Sequence, residues 1–420
     1  MEIIEQHQTI LLVMALVFGL YMTWGIGAND VANAMGTSVG SGAISLRQAI
    51  VLAAIMELCG AYLAGGGVAE TISKGLINGG LFESTPELLV FGMIGALLAA
   101  GIWLMLASMR GWPVSATHAI VGAVCGAGLA ARGVDAVQWA MLGEIVASWF
   151  VSPVLGGLVS LLLTLSIRRL ILNRADPIGQ ARKWGPMYAF LVGWIVALIT
   201  VSKGLKHVDL DLGVVDGQLL SILIGLLLAV VAWLMMQRIR LDDYADRAFH
   251  YASVERLFIP QMIFTGAAMA FAHGSNDVAN GIGPMAEVIQ IIETRAVLAE
   301  SAVTPFMLLI GGAGLVAGLA TYGYKVIATL GYKITALTPT RAYAATVAAS
   351  FVTVAASGLG LPVSTTHIAV GAVMGVGIVR GIGALDLRVI GGIVLSWFIT
   401  VPVAALLGAL IFHILRFVFS

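Results

Sequence analysis

The stretch Gly25-Ile26-Gly27-Ala28-Asn29-Asp30-Val31-Ala32-Asn33 decides how this chain is read, because its Asn-Asp-Val-Ala-Asn core returns at Asn276–Asn280. Both copies lie inside strongly apolar sequence. Carboxylates and amides at membrane depth are costly, and such groups normally face a cavity, a partner or an ion path. A second pair follows in the same order: Trp112-Pro113-Val114-Ser115-Ala116-Thr117-His118 and Leu361-Pro362-Val363-Ser364-Thr365-Thr366-His367. A third echo, Ser148-Trp149-Phe150 and Ser396-Trp397-Phe398, keeps nearly the same interval. The chain is a duplicated unit with its polar chemistry in the repeats.

Composition sets the solvent. The 420 residues are 60% hydrophobic and 10% charged, with a mean hydropathy of +1.00. Soluble domains carry about 25% charged residues. Apolar runs long enough to span a bilayer as helix recur from end to end, and 51 glycines suit close packing of membrane helices. A multi-span helical membrane protein follows. The net charge is zero, so no basic face argues for nucleic acid. Cys59 and Cys125 sit in apolar segments without disulfide or zinc-ligand spacing. No cleavable leader is expected, since the first apolar run leads directly into the first motif.

The hydropathy pattern predicts an all-α integral membrane protein of about 12 membrane segments, with helices broken at Ala28–Val31 and Ser275–Val278. The chain divides into repeat one (1–167), a connecting region with two helices and polar loops (168–258), and repeat two (259–420). Arg168–Trp184 and Gln237–Phe258 are rich in arginine, and such loops stay cytoplasmic. Lys206–Gly217, with Asp209, Asp211 and Asp216, fits the outer side. If each repeat crosses an odd number of times, the two are inverted and both termini lie outside. Glu2 and Glu5 agree with this; Arg416 agrees less well. Inverted repeats with interrupted helices are the signature of secondary transporters.

Asp30 and Asn33 are three residues apart, hence on one helical face. Oxygens from Asn29, Asp30 and Asn33, and from Asn276, Asp277 and Asn280, form a hard-ligand set suited to a cation such as sodium. Helix capping by Asp30 is the plainer alternative. Pro113 and Pro362 sit where helices begin. Ser115, Thr117, Ser364, Thr365 and Thr366 then fall in the first turn, among unpaired N–H groups at the positive dipole end, a ready anion site. Simple capping by the serines is again an alternative. His118 and His367 read as core histidines or as coupling groups. A Ser/His nucleophile is disfavoured, because no Gly-x-Ser-x-Gly elbow accompanies either copy. No lysine or arginine lies within either motif, so cations must offset an anion there. Together these features point to an oxyanion carried with cations, and not to an enzyme, a channel or a structural protein.

The string Gly27–Ala34, its partner Gly274–Asn280 and the two Pro-Val-Ser-x-Thr-His segments resemble the inorganic phosphate transporter (PiT) family over nearly the whole chain. The resemblance implies a sodium- or proton-coupled phosphate symporter, usually dimeric, with inverted repeats and two re-entrant hairpins. By motif position, Asn29, Asp30, Asn33, Asn276, Asp277 and Asn280 would hold Na⁺. Ser115, Thr117, Ser364, Thr365 and Thr366 would hold phosphate, with Asp30 and Asp277 bordering it. No cofactor is implied, and the plasma (inner) membrane is the expected location. Two features depart from the pattern. Ala116 stands opposite Thr365, so the halves cannot offer equal hydroxyls, and Thr346 replaces a glutamate common in relatives. Glu57 resembles an intramembrane glutamate of many relatives and joins His118 and His367 as a possible coupling group. Protons as the coupling ion, and sulfate or another oxyanion as the substrate, remain alternatives.

Overall fold

The computed structural model describes residues 2–201, 213–239, 247–298, 303–324, 326–327, 337–381, 383 and 385–419. Asp209, Asp211 and Arg240, used above to orient two loops, lie outside the described residues. The helices are α1 (Glu2–Gly40), α2 (Leu46–Ala64), the short α3 (Gly66–Glu70), α4 (Pro86–Met109), α5 (Ala116–Arg132), α6 (Trp139–Ile167) and α7 (Pro177–Ile199). They continue as α8 (Val214–Arg238), α9 (Arg247–Leu257), α10 (Ile259–Thr294), α11 (Pro305–Thr321), α12 (Pro339–Gly358), α13 (Thr365–Arg380) and α14 (Leu387–Phe419).

Local chemistry sets the helix ends. Ser45 and Gln48 close a capping box at the start of α2. Pro86, Pro305 and Pro339 open α4, α11 and α12, where the missing N–H costs nothing. Gly111 and Gly360 reverse the chain between α4 and α5 and between α12 and α13. Their φ values of 65° and 69° suit glycine alone among common residues.

Among the described residues, six helices are long and apolar enough to cross a bilayer, or seven if the pair Tyr251–Leu257 and Ile259–Thr294, bent by 43°, is one span. Shorter apolar helices, Ala116–Arg132, Pro305–Thr321 and Thr365–Arg380, accompany them. The molecule is therefore an all-helical membrane protein that combines long apolar helices, a bent pair and shorter apolar helices. Leu223, Leu227, Leu406 and Phe417 are exposed on its flank, as lipid contact requires.

The expected breaks at the two motifs do not occur. Helix α1 runs through Asn29-Asp30 and α10 through Asn276-Asp277, and the only non-helical dihedrals inside α1 are at His7. The motif glycines serve close packing instead. A Cβ at Gly27 would lie 2.0 Å from the Leu315 carbonyl oxygen, and one at Gly318 would lie 1.9 Å from that of Trp24. The contact recurs between α10 and α2, where Gly274 meets the Glu57 carbonyl at 2.2 Å and Gly60 meets that of Phe271 at 2.0 Å. The asparagines and aspartates find partners on other helices, so they do not compete with their own backbone for hydrogen bonds.

The second helix of each helical hairpin packs on the opposite half. Helix α5 packs on α14, and α13 on α6. Glycines allow both approaches: Gly126 lies against the Ala405 carbonyl, and Gly371 against that of Pro153. The tip of each hairpin thereby lies between the motifs of both halves.

Candidate functional site

Four segments from distant parts of the chain meet at the hairpin tips. Asn29 on α1 holds the first tip: its amide nitrogen donates to Ser108 Oγ and to the Trp112 carbonyl, both at 3.0 Å, while its Oδ1 accepts from Val114 N at 3.2 Å. Asn276 makes the matching donations at the second tip, to Ser357 Oγ at 3.1 Å and to the Leu361 carbonyl at 3.2 Å, but its Oδ1 has no hydrogen-bond partner. These two asparagines act as clamps on the loops that lead into α5 and α13. Ser108 and Ser357, their partners, lie outside the sequence motifs.

The next residues along each motif reach across to the other half. Asn33 donates to Thr366 Oγ1 at 2.8 Å and to Thr365 Oγ1 at 3.3 Å. Its counterpart Asn280 donates to Thr117 Oγ1 at 3.3 Å. The tips also bond each other, Thr117 donating to the Val363 carbonyl at 3.0 Å and Thr366 to the Val114 carbonyl at 3.1 Å. Ser115 and Ser364 cap α5 and α13, each accepting from the backbone N–H of the histidine three residues on, at 3.2 Å.

The carboxylates are not equivalent. Asp277 accepts from Thr365 at 2.8 Å and lies 3.0 Å from His273 Nε2. Asp30 has Thr366 Oγ1 at 3.4 Å. The difference follows from sequence, since Ala116 and Ile26 stand where the second half has Thr365 and His273. His273 Nδ1 meets Glu57 Oε1 at 3.0 Å, and both residues are fully buried. At the matching contact of the other half, Ile26 and Leu315 are apolar. Sequence reasoning gave His273 no role. The signal was present: a titratable residue at a position where the repeat is broken.

The oxygens left without donors are informative. Asn33 Oδ1, Asn276 Oδ1, Asn280 Oδ1 and Asp277 Oδ1 are all buried with no hydrogen-bond partner. An unmatched buried acceptor is unfavourable, and a bare cation satisfies it as a donor would. Ligand atoms of Asp30, His273 and Asp277 lie within 4.8 Å of one another.

His118 and His367 sit behind the tips in a four-ring box. His118 stacks on Trp149 at 3.7 Å and its Nδ1 faces the Trp397 carbonyl at 3.4 Å. His367 stacks on Trp397 at 3.5 Å with its Nδ1 at 3.2 Å from the Trp149 carbonyl. The third sequence echo thus supplies the walls and acceptors for the two histidines. Thr346 hydrogen-bonds Thr37 at 2.7 Å, away from Glu57.

The sequence that builds this site is similar to known proteins over nearly its whole length. The profile of the Phosphate transporter family matches residues 26–408. The chain belongs to that family. This transporter is 44% identical over 421 residues to a Haemophilus influenzae protein named as a phosphate permease, covering 100% of each chain. It is 41% identical to the chloroplastic inorganic phosphate transporter 2-1 of Arabidopsis thaliana, over 94% of this chain and 70% of that one. A solved structure described as the sodium-dependent phosphate transporter superposes with a TM-score of 0.90 at 37% identity, covering 97% of this chain and 99% of that one. The transporter is a membrane protein and not an enzyme.

Proposed function

We propose that this chain is a secondary active symporter that imports inorganic phosphate with Na⁺ by alternating access. The observation that carries the reading is the meeting of Asp30 with Thr366 and of Asn280 with Thr117 across the halves, beside the Asp277–Thr365 bond of the second half. Phosphate is held by the threonine hydroxyls, by Ser115 and Ser364, and by the first-turn N–H groups of α5 and α13. Na⁺ lies between phosphate and the carboxylates, coordinated by oxygens of Asp30, Asp277, Asn33 and Asn280, while Asn29 and Asn276 fix the tips. Two carboxylates beside an oxyanion repel it unless cations intervene, so cation occupancy creates the anion site and the linkage is reciprocal. Each net positive charge moving inward gains about 2.3 kcal/mol per 100 mV.

In this reading 1–167 and 259–420 are inverted repeats flanking the connecting region 168–258, and the α4–α5 and α12–α13 hairpins are re-entrant from opposite faces. In the same reading the arginine-rich loops Arg168–Trp184 and Gln237–Phe258 lie inside and both termini lie outside the plasma (inner) membrane. The assembly is a homodimer. The match to a sodium-dependent relative supports Na⁺ coupling.

One observation favours a second reading, proton coupling: the buried chain from Glu57 through His273 to Asp277 places three titratable groups in line at the cation site. Uptake into proteoliposomes with sodium and pH gradients imposed separately distinguishes the two. Sodium at fixed pH should drive phosphate uptake, and Asp277→Asn should abolish the sodium dependence. Uptake that follows only the pH gradient would transfer the coupling to protons. Competition by sulfate as strong as that by unlabelled phosphate would reject phosphate as the preferred substrate.

A further inference from the structure

A second polar centre lies away from the hairpin tips, at the open end of the α12–α13 hairpin. A cavity of about 580 Å³ there is walled by Arg168 at the end of α6, Arg341 in the first turn of α12 and Arg380 at the end of α13, with Asn173, Tyr251 and Glu255. Among the described residues, three arginines and one carboxylate line this cavity. That carboxylate is already engaged: Glu255 accepts from Thr340 N at 2.7 Å and from Thr340 Oγ1 at 2.8 Å, capping α12. Arg168 donates one N–H to the Val379 carbonyl at 3.1 Å, at the end of α13. Arg341 makes no hydrogen bond or ion pair among the described residues, yet its charge interacts with Arg380, Glu255 and Arg168.

Ordinary helix electrostatics explain part of this. Arg168 and Arg380 lie at helix C-termini, where a cation is favoured. Arg341 lies at a helix N-terminus, where the dipole disfavours it, and beside two like charges. The fold does not require arginine there. In the α4–α5 hairpin, Leu88 takes the same place two residues after the helix-starting proline. An anion bound among the three arginines removes the conflict, since arginine binds phosphate oxygens through paired N–H groups.

We infer that this cavity is a binding site for a phosphate group, distinct from the site between the hairpin tips. The group is either free inorganic phosphate or the headgroup of an anionic phospholipid, because the chemistry recognised is the same. Bound there, it bridges α6, α12 and α13 and holds the ends of the second hairpin against the first half of the chain.

The full-length purified chain, stripped of lipid in a sodium-free buffer, provides the test. Labelled inorganic phosphate and dihexanoyl phosphatidylglycerol are the two probes, each compared between wild type and Arg168→Gln/Arg341→Gln at matched ionic strength. Binding common to both proteins belongs elsewhere. Loss of two charge-assisted contacts should weaken at least one probe about tenfold or more. Arg168→Lys/Arg341→Lys keeps the charge but not the paired N–H geometry. It should also bind more weakly than wild type while melting at the same temperature without ligand, so a folding failure of the glutamine variant does not decide the matter. A loss confined to phosphate identifies the free anion, and one confined to the lipid identifies a headgroup. Equal binding of each probe to all three proteins, or no binding of either to wild type, overturns the inference.

Discussion

At the residue scale, the two aspartates share a motif but not an environment. Asp277 has Thr365 and His273 within 3.0 Å, whereas the corresponding positions around Asp30 hold Ala116 and Ile26. A hydrogen bond to a charged group is worth about 1.5–3 kcal/mol, and 1.4 kcal/mol is about a factor of ten. Thr365→Ala should therefore weaken phosphate-dependent uptake by roughly ten- to hundredfold in apparent affinity, read from initial rates in proteoliposomes. Thr365→Ser, which retains the hydroxyl, should recover most of it. Ala116→Thr should not compensate, because it would add its hydroxyl on the Asp30 side. An undiminished affinity in Thr365→Ala would remove Thr365 from the site. Sequence alone named Thr117, Thr365, Thr366 and both aspartates but gave Asn29, Asn33, Asn276 and Asn280 one common role. Side-chain type is the same whether an amide clamps a loop or offers its oxygen to an ion, and only the partner tells them apart.

At the element scale, close helix contacts replace the predicted breaks. Gly27 and Gly274 directly precede the expected breaks, and glycine lowers helix propensity. In the folded chain they let α1 approach α11 and α10 approach α2 to backbone contact distance. Gly274→Ala places a methyl 2.2 Å from the Glu57 carbonyl oxygen. The backbone there has to move, at a cost of about 1–3 kcal/mol typical of overpacking. We expect a lowered melting temperature in detergent, and loss of transport beyond the loss of folded protein, because the displaced segment carries Glu57 against His273. Normal specific activity in the folded fraction would show that the Glu57–His273 contact is dispensable. Propensity is a weak prior that tertiary packing overrides, and a packing glycine and a breaking glycine are identical in sequence.

At the scale of the whole molecule, each half completes the other. The α5 and α13 tips are held by both halves, by Asn29 or Asn276 of their own and by Asn280 or Asn33 of the other. A further tie joins the halves: Lys74, after α3, forms an ion pair with the buried Glu287 of α10. Removing one partner of a buried pair leaves an uncompensated charge, typically about 3–5 kcal/mol. Glu287→Gln should therefore lower thermal stability markedly, whereas Lys74→Met/Glu287→Leu should lose much less, as a double-mutant cycle would measure. Additive losses would mean the two groups do not interact. What the sequence by itself determined is the membrane class, the duplication and the four segments that carry the chemistry. These depend on hydropathy and repetition, which are properties of the chain read in order. Only the tertiary structure decided that α1 and α10 run unbroken, that the second helix of each hairpin packs on the opposite half, that Glu57 meets His273, and that three arginines line one cavity. Those facts are distances between groups hundreds of residues apart, fixed by which helix faces pack together, and no local pattern records them.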